Sequence, residues 1–127
     1  MADDSAVERL LVRSRAAIDR VEPDDLAVEV QDGAVVVDVR PEHDRRTDGA
    51  MPGAVVVERI HLEWRLDPTS EHRLPGISRD TRVILVCNEG YASSLAAATL
   101  RELGTRRATD LVGGYRAWRA LHPDTTG

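Results

Sequence analysis

Two unbroken runs of apolar, mostly β-branched residues stand out in this chain, at positions 34–37 and 83–87. Runs of strand length with no polar interruption predict parallel strands covered on both faces. Two shorter stretches, at 55–57 and 108–112, predict further strands, the first of them entered through the turn Met51-Pro52-Gly53-Ala54. Between these runs the apolar spacing becomes helical. Ser5-Ala6-Val7-Glu8 fits a capping box, and Val7, Leu10, Leu11, Ser14 and Ile18 share one face of the helix that follows. The other face carries Arg9, Arg13 and Arg15, which predicts a solvated basic surface. A second helix is expected from Pro23 to about Gln31, with acids in its first turn and Gly33 beyond its end. A charged helix is expected over 41–48, and a short helix or irregular surface segment over 59–66. A long loop is expected over 67–80, a helix after the loop that follows position 87, and a last helix over 114–121 stopped by Pro123. Strands alternating with helices predict an α/β fold with a mostly parallel sheet.

With 127 residues the chain is one domain with room for a core, and with no Phe, two Tyr and two Trp that core must be aliphatic. A net charge of −5 argues against nucleic acid or an anionic membrane surface as partner. No apolar stretch reaches membrane-spanning length, and the acidic N-terminus has no secretory pattern. A single cysteine leaves no internal disulfide, so a cytoplasmic location is expected. His43, His61, His72 and His122 show no ligand spacing, so no metal site and no cofactor are assigned.

The single cysteine, Cys87, lies where the second buried run ends and a tight loop begins: Cys87-Asn88-Glu89-Gly90-Tyr91-Ala92-Ser93. A strand, a short loop and a helix N-terminus aim backbone N–H groups at one spot, where a thiolate nucleophile can be held. Gly90 reads as a position needing positive φ or close backbone approach. Ser93 and Ser94 read first as helix N-caps, with a hydroxyl donor to whatever the loop binds as the sharper role. Tyr91 is either a pocket wall or a surface residue. Asp38 and Arg40, charged at the end of the first strand, face either the functional rim or each other in an ion pair.

Four pieces in order, Asp38-Val39-Arg40, Met51-Pro52-Gly53-Ala54, Cys87 with Gly90 and Ser93, and 111–118 (Leu-Val-Gly-Gly-Tyr-Arg-Ala-Trp), resemble the rhodanese-like sulfurtransferase family. The resemblance spans roughly residues 26–121. It implies a five-stranded parallel sheet flanked by helices on both faces. Residues 1–127 would then be a single such domain with an N-terminal helical extension at about 5–20. It also implies that Cys87 takes sulfane sulfur as a persulfide and passes it from a small-molecule or protein donor to a thiol acceptor. Asn88, Glu89, Gly90, Tyr91, Ala92 and Ser93 would form the substrate cradle, with Asp38, Arg40 and Arg65 as possible rim residues. The loop departs from the family pattern. Asn88 and Ala92 stand where Arg is usual, Ala50 stands where His is usual, and Glu89 adds a negative charge. A donor less dependent on positive charge than thiosulfate is therefore expected, and a binding or sulfur-sensing module is the alternative. A tyrosine phosphatase would need Arg at position 93, which is Ser, and a dithiol oxidoreductase would need a second cysteine.

Overall fold

The computed structural model describes residues 5–124. The elements in chain order are α1 (Ala6–Ala16), α2 (Leu26–Gln31), β1 (Val35–Asp38), α3 (Glu42–Asp48), β2 (Val55–Val56), α4 (Leu62–Leu66), β3 (Val83–Val86), α5 (Ala92–Glu102), β4 (Ala108–Asp110) and α6 (Gly114–Leu121). The sheet is parallel throughout, in the order β2-β1-β3-β4. Val37 sits opposite Leu85, and Leu85 opposite Asp110. The two long apolar runs thus occupy the two central strands, where both faces are covered.

Strand alternation sorts the core into two layers. Val37, Val83 and Leu85 point to one side, against Leu62 and Leu66 of α4 and Ala96, Ala97 and Leu100 of α5. Val36, Ile84 and Val86 point to the other, against Leu26 of α2, Met51 and Tyr115 of α6. All four residues of β3 are fully buried. Each such side chain contributes about 1.5–3 kcal/mol by leaving water. The loop at 67–80 is irregular, as expected, but Ile77 and Leu74 tie it to the first layer.

The sheet has four strands, where five were expected. A single bridge, Val21 to Leu111, occupies the fifth position beside β4. Val21 exchanges both ladder hydrogen bonds there, giving its N–H to Asp110 O and accepting from Val112 N–H. Pro23 then opens a 3₁₀ turn, so the pairing cannot lengthen. The N-terminal helix starts as expected, with Ser5 Oγ accepting from the Glu8 N–H. Its burial is narrower than its apolar face, since Leu11 and Ser14 are buried while Val7 and Leu10 are exposed. At the N-terminal ends of the strands, Arg82 joins Asp19, Glu29 and the Arg107 carbonyl. Among the described residues no helix is long and apolar enough to cross a membrane.

Candidate active site

Cys87 directly follows β3, and after four intervening residues α5 begins. The Gly90 and Ser93 N–H groups lie 3.1 and 3.4 Å from Sγ, and Ser93 Oγ lies at 3.2 Å. The first turn of α5 has no side-chain cap from Tyr91. The sulfur stands in that place as acceptor for an otherwise unpaired helical N–H. Ser93 and Ser94 are therefore not N-caps. They lie inside α5, buried, and both hydroxyls donate to Asp110 Oδ2 at 2.7 Å. Gly90 has φ +85°, and a Cβ on it would sit 2.8 Å from the Gly113 nitrogen. Both reasons for a glycine hold at once.

The start of α6 fastens the loop from beneath. Tyr115 N–H donates to Cys87 O at 2.7 Å and Arg116 N–H to Asn88 O at 3.0 Å. This approach requires Gly114, where a Cβ would run into the Cys87 carbonyl and the Asn88 backbone. Along the flank, buried Arg40 pairs with Asp38 and stacks over the Tyr115 ring, 4.2 Å from its centroid. It also donates to Asn88 Oδ1 and Gly49 O. Asn88 Nδ2 in turn donates to Asp48. Asp38 and Arg40 therefore form an ion pair that holds the loop. Glu89 is turned outward to Arg116, at 3.0 Å.

On the opposite flank stand two arginines that precede the first strand. Arg15 is half-buried and donates to Gly90 O at 2.7 Å and to Ser94 Oγ at 3.1 Å. Arg20 donates to the same carbonyl at 2.9 Å and grips Asp110 with two nitrogens, at 2.8 and 3.2 Å. Arg15 thus departs from the solvated face expected of it. Its stem crosses the helix surface and its guanidinium reaches the loop.

A cavity of about 310 Å³ opens over the sulfur, lined among others by Arg40, Asp44, Arg59, Tyr91 and Ala92. Arg59 comes from the segment before α4 and pairs with Glu63 at 2.8 Å. Arg65 does not reach this cavity. It donates to His72 O and borders a separate hollow with Val56 and His61. The structure thus gathers Cys87, Asn88, Glu89, Tyr91, Ala92 and Arg40 around one cavity, with Gly90 and Ser93 beneath the sulfur. Asp38 lies behind, and Arg65 is elsewhere. Arg15, Arg20, Arg59 and Asp110 are additions that sequence reasoning did not place at the site.

A strand-end cysteine with loop N–H groups on its sulfur, clasped by a Gly-Gly helix start, spans the region matched by a family model described as Rhodanese-like domain, residues 22–121. The chain belongs to the rhodanese-like family. Over 108 residues it is 31% identical to thiosulfate sulfurtransferase GlpE of Pseudomonas fluorescens, covering 84% of this chain and 90% of that one. It is also 31% identical over 94 residues to the adenylyltransferase and sulfurtransferase MOCS3 of Arabidopsis thaliana, 68% of this chain but only 20% of that protein's length. Among solved structures, a protein of unknown function from Rhodopseudomonas palustris, described as a possible tyrosine phosphatase, superposes with a TM-score of 0.82. It is 27% identical, and the match covers 94% of this rhodanese-like chain and 92% of the other.

Proposed function

We propose that this protein is a sulfurtransferase that carries sulfane sulfur on Cys87. The observation that supports this best is Cys87 itself, a buried residue in the lining of a cavity with the Gly90 and Ser93 N–H groups directed at its sulfur. Such donors favour an anion at that spot, whether the resting thiolate or the persulfide. In the loading step the Cys87 thiolate attacks the outer sulfur of a donor persulfide. The donor's S–S bond breaks and its electron pair leaves with the inner sulfur as thiolate, giving Cys87–S–S⁻. An acceptor thiolate then attacks the sulfane sulfur, and Cys87 departs as thiolate. No outside oxidant or reductant is needed.

The cavity's charges favour a protein or low-molecular-weight persulfide over thiosulfate. Both arginines that line it are already in ion pairs, Arg40 with Asp38 and Arg59 with Glu63. A dianion would have to compete with those carboxylates. The relative named for thiosulfate transfer makes thiosulfate the natural reference donor. Phosphatase chemistry fits less well, because the position that would need Arg is Ser93, buried and bonded to Asp110.

The test is intact-mass measurement after exposure to a panel of persulfide donors and thiosulfate. The native chain should gain one sulfur atom, Cys87→Ser none, and a thiol acceptor should remove the added atom. A native chain that stays unmodified with every donor would replace this reading with a binding module. Sulfur that loads but is never released would point to a sensor.

A further inference from the structure

The loop around Cys87 holds no positive side chain and one negative one, Glu89. Beyond the Gly90 and Ser93 N–H groups, any positive charge that favours an anionic sulfur has to come from outside the loop. Behind the loop, Asp110 is fully buried and its Oδ2 accepts from Ser93 and Ser94. A carboxylate in that place opposes a thiolate at Cys87. Arg20 lies against it in a two-nitrogen pair, and the two charges largely cancel.

Arg15 differs from Arg20 in its partners. It donates to Ser94 Oγ and Gly90 O, and its guanidinium lies 5.3 Å from the centroid of the Tyr91 ring. Among the described residues none of these partners carries a charge. A half-buried guanidinium with only neutral partners keeps its full charge, and low solvent exposure reduces its screening. That charge bears on Gly90, whose N–H faces Sγ at 3.1 Å, and on Ser94, next to the second sulfur-facing residue. Arg15 lies on α1, before the segment 22–121 that matches the family model.

We infer that Arg15 is a positioning residue of the sulfur site, supplying from α1 the positive charge that the loop itself lacks. It acts through the Gly90 carbonyl and by its field, without touching the reacting sulfur. The N-terminal helix is on this view a working part of the site. The inference rests on the reading of Cys87 as the nucleophile, and its test needs no sulfur donor.

The experiment measures the rate of Cys87 alkylation in the full chain by neutral iodoacetamide and anionic iodoacetate, at one pH, for native protein, Arg15→Gln and Arg15→Lys. Urea unfolding of each variant confirms that folded protein is compared. Arg15→Gln should slow iodoacetamide on the order of ten-fold, as expected for removing one poorly screened charge. Iodoacetate should slow further, and Arg15→Lys should recover most of both rates. Native-like rates in Arg15→Gln would overturn the inference. So would equal slowing by Gln and Lys, which would mean that the fork geometry matters and the charge does not. If the charge dependence holds while no donor ever loads sulfur, the transfer reading fails and the role of Arg15 stands.

Discussion

Replacing Gly114 by Ala strikes the contact that sets the height of the cysteine loop. Gly114 opens α6 at φ +65°, where an L side chain costs about 1–2 kcal/mol. The new Cβ would also meet the Cys87 carbonyl oxygen and lie 2.7 Å from the carbonyl carbon and oxygen of Asn88. These are backbone atoms, so no flexible side chain can swing aside. Relief requires α6 to back away from the 87–88 peptide. That weakens the bonds from Tyr115 N–H to Cys87 O, at 2.7 Å, and from Arg116 N–H to Asn88 O, at 3.0 Å. Each is worth about 1 kcal/mol. The total loss is therefore about 3–4 kcal/mol. Gly76→Ala is the control, because Gly76 has φ +82° and nothing within 4 Å of its ideal Cβ. It should lose only the backbone part, about 1–2 kcal/mol. Urea unfolding should separate the two variants by about 2 kcal/mol. Cys87 in Gly114→Ala should also alkylate more slowly, since tilting its carbonyl draws Sγ off the Gly90 N–H. Equal stability of the two variants would refute the close-approach argument.

Three further outcomes follow from particular contacts. Ala92 lines the cavity over Cys87, so Ala92→Arg should improve kcat/KM for thiosulfate about ten-fold, with the gain shrinking as salt rises; an unchanged rate would mean that positive charge does not limit the site. Thr109 is fully buried, and its Oγ1 is the buried side-chain polar atom among the described residues with no hydrogen-bond partner. Thr109→Val should raise stability by about 1 kcal/mol in urea unfolding. Burial opposes the charged form of Asp19, but the hydrogen bond and charge of Arg82, with Arg101 beyond, outweigh it and hold that carboxyl below its ordinary 3.8. A lowered carboxylate stabilises above its unfolded value and loses this as pH falls through the folded one. Because Asp19 is 66% exposed, Asp19→Asn should cost less than about 1 kcal/mol at pH 7, and the difference from native should fade below pH 3.8.

How much of this was legible in the chain depended on distance along it. The buried strands, the cysteine loop and the glycine at position 90 were readable because their causes are local. An unbroken apolar run, a thiol at its end and a turn residue three places on lie within eight positions. The fifth strand was expected because the family usually has one, and it failed for an equally local reason, Pro23 two residues after Val21. Arg65 was the wrong arginine from the right segment. A 3₁₀ turn over Arg59–His61 precedes α4, and its tighter period shifts which side chain faces the cavity. Arg15 was misplaced because helical periodicity fixes where Cβ points, whereas a guanidinium ends several bonds away and can cross to another face.

Asp110 is the instructive case. It is the one charge in the short apolar stretch 108–112, and a charge carried into a buried strand must have a partner, since burying it alone costs several kcal/mol. A buried carboxylate there calls for partners, a cation or hydroxyl donors, and Asp110 has both. The pattern did not say which of the chain's 17 basic residues would supply the cation. The partner is Arg20, 90 positions away, brought there because α1 packs on α5 and Val21 bridges to Leu111. The same packing carries Arg15 to the Gly90 carbonyl. The electrostatics around Cys87 are thus set by how the N-terminal helix docks, and a change in α1 far from the loop should be felt at the sulfur.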